Sequence, residues 1–73
     1  MLKYIVINGS EMIIFPPTLQ HKDVAGSMCV TSAGFIEGGK CYGQSDSLNI
    51  SSKEYDNRLL KLIRASTALK KLP

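Results

Sequence analysis

An Asn-Gly pair between two short apolar runs constrains this chain more than any other feature of its sequence. Asn8 and Gly9 tolerate positive φ, and such a pair between strand-like segments is the strongest local signal of a β-hairpin. It predicts one strand over residues 2–7 and a second from residue 10 or 11 to residue 15, joined by a two-residue turn.

Both faces of this predicted hairpin are apolar. A two-residue turn places Ile5, Ile7, Met12 and Ile14 on one face, and Tyr4, Val6, Ile13 and Phe15 on the other. A hairpin with one face in water would alternate apolar and polar side chains, so we expect this one to lie in the middle of a sheet under a helix. We expect a second copy of the chain to cover the remaining face. The residues predicted to mediate this self-association are Ile5, Ile7, Met12, Ile14 and Leu60.

Length and composition favour one small globular domain over residues 1–73. The chain is 44% hydrophobic and 21% charged, which is far from the polar composition of disordered chains. No export signal precedes the first strand, and no apolar run approaches the roughly 18 to 20 residues that span a bilayer. We therefore expect a cytoplasmic protein that does not enter a membrane.

The two cysteines are predicted to be reduced, half-buried strand residues. Cys41 is expected to face Ile36 across a hairpin and not Cys29. No metal-ligand spacing is present, and a chain with one histidine cannot assemble a standard zinc site alone. We expect neither a metal nor a cofactor.

Beyond the first hairpin, Pro16 and Pro17 end the second strand because they lack backbone donors. A short helical turn is predicted over residues 21–25, stopped by Gly26. A second hairpin is predicted over residues 29–36 and 40–45, with a turn at Gly38-Gly39. Its inward side chains are small, which indicates either crowding under a helix or a docking surface for a partner. These residues are Ser32, Ala33, Gly34 and Gly43.

A C-terminal helix follows a further short extended piece over residues 45–50. Ser51 and Glu54 match a capping box and predict a helix start at Ser52 or Lys53. An apolar stripe predicts the face that packs on the sheet, and Leu60 lies off this stripe towards the polar side. The stripe contains Tyr55, Leu59, Leu62, Ile63 and Leu69.

The positive charge of the chain belongs to this helix. Six basic and two acidic residues between Lys53 and Lys71 give +4, whereas the remaining residues sum to −1, for a net charge of +3. Such a face can bind nucleic-acid phosphates or an acidic protein, or it can simply be solvated. Tyr55 belongs to the apolar stripe, so no Phe or Tyr is interleaved on the basic face for base stacking, and no helix-turn-helix pattern is present. The candidate contact residues on this face are Lys53, Lys61, Arg64 and Lys71.

The sequence contains little that indicates a catalytic function. His21, Lys22 and Asp23 form the one cluster with a proton carrier beside a carboxylate, but adjacency in sequence does not make an active pair. The serines and glycines match no nucleophile elbow or phosphate-binding loop. We predict that the protein is not an enzyme and retain His21, Lys22 and Asp23 as candidate binding residues.

Several short segments together resemble small proteins encoded by tailed phages and prophages. They are Phe15-Pro16, the runs at 21–25, 31–36 and 42–45, and Ser47-Leu48. The resemblance covers about residues 3 to 56 and implies a genomic setting and a size class, not a mechanism. The lysine-rich tail after Ile63 departs from the pattern.

These observations predict an α+β fold with two antiparallel hairpins in one sheet, a short helical turn between them and a C-terminal helix across one face, as a homodimer. The leading functional hypothesis is a non-enzymatic accessory protein that binds a host or phage macromolecule. One alternative is nucleic-acid binding through the basic helix face. The other is an oligomer that sequesters a small ligand between subunits, at a site lined by the glycine-rich hairpin and residues 21–23.

Overall fold

A computed structural model describes the backbone of residues 1–71 and the side chains of residues 1–65. The elements in chain order are β1 (Leu2–Ile7), β2 (Glu11–Phe15), α1 (His21–Ala25), β3 (Val30–Glu37), β4 (Lys40–Tyr42), β5 (Gln44–Ser45), β6 (Ile50–Ser51) and α2 (Tyr55–Lys71). Four strands form an antiparallel sheet in the order β2-β1-β3-β4, and β5 pairs with β6 separately. The predicted α+β class is confirmed, and the two predicted hairpins lie side by side through the pairing of β1 with β3.

The first hairpin is present, but its predicted register is wrong. Ile7 pairs with Glu11, so three residues and not two lie between the paired positions. Asn8 and Gly9 have φ of 51° and 71°, and the Ser10 N–H donates to the Ile7 carbonyl across the turn. One additional loop residue moves every β2 side chain to the opposite face.

The predicted division of the hairpin into two faces is therefore wrong. Residues that pair across neighbouring strands share a face, so Tyr4 lies with Ile14, and Ile5 lies with Ile13. One face of the hairpin carries Tyr4, Val6, Met12 and Ile14, and the other carries Ile5, Ile7, Ile13 and Phe15. The residues predicted to mediate self-association do not form one surface.

Helix α2 covers the first of these faces and α1 helps to cover the second. Leu59 and Leu60 pack on Tyr4, Val6 and Ile36. On the opposite face, the cluster of Ile5, Ile7 and Phe15 is completed by Ala25 of α1, with Leu48 and Ile50 packed against it. The apolar face for which a second copy was expected is thus covered within one chain.

The second half of the chain follows the prediction with two differences. Cys41 pairs with Ile36 as expected, and both cysteines are free, although Cys29 is exposed and lies outside a strand. The predicted strand over residues 40–45 is interrupted at Gly43, whose φ is +79°, so β4 and β5 belong to different sheets. Gly43 is exposed, whereas the other small residues of this hairpin are buried as predicted.

Helix α2 begins at Tyr55, later than predicted, and it presents a different face to the sheet. Ser51 is paired in β6 and does not cap the helix. Leu60 is 3% exposed and packs on the sheet, whereas Leu62 is 65% exposed and Tyr55 is also exposed. The side chain of Leu69 lies outside the described residues.

Candidate functional site

A cleft of about 570 Å³ opens beside α1 on the face opposite α2. Three separate segments supply its walls: β1 with β3, the start of α1, and the loop after β5. The lining residues are Lys3, Gln20, His21, Phe35, Gln44, Asp46 and Ser47. We refer to this site as the His21 cleft.

Strand register explains why aromatic rings surround His21. Lys3 pairs with Phe15 on one side and with Phe35 on the other, so these three side chains form one row across the sheet. The His21 ring meets Phe15 edge to face at 5.5 Å and Phe35 at 5.6 Å between centroids. His21 is 4% exposed, and its Nε2 lies 2.8 Å from the Gly34 carbonyl oxygen.

Several polar groups of the cleft already make hydrogen bonds within the chain. The Lys3 ammonium donates to the Leu19 carbonyl at 2.8 Å. The Gln44 amide donates to Asp46 Oδ1 at 3.2 Å, and the Ser47 hydroxyl accepts from the Lys22 backbone N–H at 3.3 Å. The bond between Lys22 and Ser47 connects the loop after β5 to α1. The other two bonds leave one carboxylate oxygen of Asp46 and two ammonium protons of Lys3 for a ligand.

A second polar cluster lies on the other face, under α2. Asp56 is 1% exposed and accepts hydrogen bonds from the Tyr4 hydroxyl at 2.5 Å, the Ser32 hydroxyl at 2.7 Å and the Lys53 backbone N–H at 2.9 Å. The last bond places a carboxylate at the N-terminus of α2, where the helix dipole favours negative charge. This cluster joins α2 to β1 and β3.

The Asp56 carboxylate influences two neighbouring groups. Burial raises the pKa of the Tyr4 hydroxyl above its usual range, and the hydrogen bond to Asp56 raises it further. Burial also raises the pKa of the Cys41 thiol, with a smaller contribution from the Asp56 charge. The cluster therefore holds a protonated phenol and a protonated thiol, neither of which is a nucleophile at neutral pH.

The predicted site residues are divided between the two sides of the sheet. In the cluster at residues 21–23, His21 lines the cleft, while the side chains of Lys22 and Asp23 are exposed. On the basic face predicted for the C-terminal helix, Lys53, Lys61 and Arg64 are exposed, and the Arg64 side chain reaches the Gly38-Gly39 turn. The side chain of Lys71 lies outside the described residues.

The residues predicted for self-association are mostly buried. Ile5, Ile7 and Leu60 belong to the core, and Met12 and Ile14 are half-buried at β2. Sequence reasoning missed the other residues of the His21 cleft. The sequence carried no clear signal for them, because the pairing of Lys3 with Phe15 depends on a strand register that the turn does not determine.

A groove of about 280 Å³ separates β2 from α2. Its lining residues are Ser10, Glu11, Met12, Leu59, Leu62 and Ile63, and we refer to it as the β2 groove. Strand β2 is an edge of the four-stranded sheet, so one side of its backbone has no strand partner among the described residues.

Comparison of the chain with protein-family models, curated proteins and solved structures gave no match. Among the residues that the structure describes, no helix is long and apolar enough to cross a membrane. The same residues contain no group of three or more metal-ligating side chains.

Proposed function

We propose that this protein is a small, non-enzymatic accessory protein that binds an extended segment of another protein along the β2 groove. The observation that carries the proposal is an apolar edge strand beside an apolar groove. The setting that we propose is a phage or prophage in the host cytoplasm, as the resemblance of residues 3 to 56 implies.

The backbone of β2 supports recognition by strand addition. An edge strand presents a row of backbone N–H and C=O groups that a partner strand can pair with. Natural edges are commonly protected by a lysine or proline within the strand. Here the three inner residues are Met12, Ile13 and Ile14, so no lysine or proline interrupts them, and the protecting residues, Glu11 and Pro16, stand at the two ends of the strand.

The β2 groove supplies the contacts that would give this pairing affinity. Alternate side chains of an added strand point to the same face, which lets one set enter the groove between Met12 and Leu62. Leu62 is 65% exposed, and burying a leucine stabilises a complex by about 1.5–3 kcal/mol. An extended apolar segment therefore fits this surface better than a charged one.

Substitution Leu62→Glu tests the proposal because it places a charge in the groove without removing a core side chain. We expect the tagged protein to recover a stoichiometric partner from host or phage-infected lysate, and the variant to recover at least tenfold less. Substitution Ala65→Glu is the matched control, since Ala65 is exposed on the same helix and does not line the groove. Equal recovery by the two variants, or no specific partner for the unsubstituted protein, would refute the proposal.

A further inference from the structure

We propose that the His21 cleft binds a nucleotide, with the base beside Phe35 and His21 and the phosphate at Lys3. This inference goes beyond the binding of a protein segment and concerns a surface on the opposite face of the sheet. It rests on a buried histidine, on the charges that line the cleft and on the size of the cleft.

The tautomer of His21 gives the cleft a fixed acceptor. A carbonyl oxygen only accepts hydrogen bonds, so the contact with Gly34 O requires the proton on Nε2. In the neutral ring Nδ1 is then an acceptor, and among the described residues it has no hydrogen-bond partner. No side-chain nitrogen or oxygen in the described part of the chain is both buried and unpaired. Nδ1 is therefore not completely enclosed, and because His21 lines the cleft, we infer that a ligand N–H or O–H in the cleft reaches it.

The charges of the cleft match the two ends of a nucleotide. Lys3 is the cation among the lining residues, and its ammonium keeps two donors after bonding to Leu19. Asp46 offers an acceptor for an amino group of a base, and the amides of Gln20 and Gln44 carry both donors and acceptors. A phosphate at Lys3 and a base edge at the amides would use all of these groups.

Aromatic surface and volume favour a nucleotide over smaller anions. Phe35 is half-buried, so part of its ring is open to stacking, which every base can provide. The cleft of about 570 Å³ lies within the usual range for sites that hold a ligand of this size, roughly 300–1,000 Å³. Inorganic phosphate would leave both the rings and the amides without a contact.

The test is calorimetric titration of the full chain with AMP and GMP, and with adenosine and inorganic phosphate as partial ligands. We expect at least one nucleotide to bind more tightly than either partial ligand. Because the chain has one histidine, both imidazole ¹⁵N resonances belong to His21, and we expect binding to shift the resonance of the unprotonated nitrogen, Nδ1. No heat with either nucleotide at millimolar concentration would overturn the proposal, as would a Nδ1 resonance that stays unchanged on binding. Equal affinity for phosphate alone would also overturn it.

Two substitutions separate a binding role from a structural one. Lys3→Gln is expected to weaken nucleotide binding at least tenfold, since it removes a charge-assisted hydrogen bond. Lys40→Gln is the matched control, because the Lys40 side chain is exposed on β4 and does not line the cleft.

Asp46→Asn provides a second test at an exposed position should Lys3→Gln fail to fold by circular dichroism, and it is expected to weaken binding at least threefold. Unchanged affinity in the folded cleft variants would overturn the assignment. Leu62→Glu is expected to bind nucleotide normally, so the cleft and the β2 groove can fail independently.

Discussion

Asp56 is the residue on which the contact between α2 and the sheet most depends. Its carboxylate is buried and accepts hydrogen bonds from three donors, which belong to β1, β3 and the segment just before α2. A buried charge is tolerated only when hydrogen bonds replace its lost hydration. Removing one of these donors is therefore costly even though the apolar packing stays intact.

Substitution Tyr4→Phe removes one donor and keeps the aromatic ring. We expect the free energy of unfolding to fall by about 1–3 kcal/mol, because Asp56 then lacks a partner in a dry environment. The measurement is the urea midpoint at neutral pH. Tyr42→Phe is the control, since the Tyr42 hydroxyl bonds to exposed Glu37, and its cost is expected to stay within about 0.5 kcal/mol.

The stability difference between wild type and Tyr4→Phe is also expected to depend on pH in the alkaline range. In the unfolded chain the Tyr4 phenol ionises near pH 10, whereas burial holds its pKa higher in the folded protein. The folded state then binds more protons, so this stabilisation is complete below about pH 10 and declines as the pH rises. The difference between wild type and Tyr4→Phe should shrink above that pH. A constant difference would contradict the buried hydrogen bond.

At the scale of elements, the apolar pattern of α2 predicts that a helix forms but not which of its faces packs on the sheet. The presence of the helix was predictable from periodicity and its orientation was not. The side chains that face the sheet are Asp56, Leu59, Leu60 and Ile63, at the helical spacing of three and four residues. One of these positions is Asp56, which a search for apolar residues leaves out. The predicted apolar stripe was therefore rotated around the helix, away from the face that packs on the sheet and towards Leu62.

Two alanine substitutions on α2 measure its orientation. Leu60→Ala is expected to cost about 2–5 kcal/mol, since it opens a cavity against Ile36 and Val6. Leu62→Ala is expected to cost no more than about 0.5 kcal/mol, because that side chain is exposed. Urea unfolding of both variants provides the comparison. A larger loss in Leu62→Ala would mean that the helix is rotated from the described orientation.

In the hairpins, the local sequence determines where strands and turns lie but not the register of the first strand pair. Strand positions, the stop at Gly26 and the pairing of Cys41 with Ile36 follow from turn chemistry and alternation. The register of β1 with β2 does not, because one loop residue decides it and Asn8-Gly9 is compatible with either loop length. The His21 cleft was not predictable, since three segments distant in sequence must first be placed in space.

At the scale of the whole molecule, the chain covers both faces of its sheet with its own segments. Helix α2 lies on one face, and α1 with the loop between β5 and β6 lies on the other. This arrangement removes the need for a second copy over the first hairpin. Pairing of a partner strand with the exposed β2 edge extends the sheet sideways and leaves both faces as they are.

Light scattering at several concentrations tests self-association. We expect a monomer of 8.0 kDa, because the chain covers both faces of its own sheet and the β2 edge is proposed to pair with a segment of another protein. A dimer that Leu62→Glu shifts towards the monomer, with Ala65→Glu as the control, would make a second copy the occupant of the β2 groove and contradict that proposal.

The bond between Tyr4 and Asp56 joins positions 52 residues apart, and this separation determines when the domain can form during protein synthesis. A nascent chain that ends before residue 56 has β1 and β3 but no acceptor for the Tyr4 and Ser32 hydroxyls and no helix over them. Loop closure over most of the chain must precede the packing of α2. The apolar face of the sheet therefore stays open until the ribosome has synthesised the residues of α2 that cover it, and the domain cannot acquire its final packing before then.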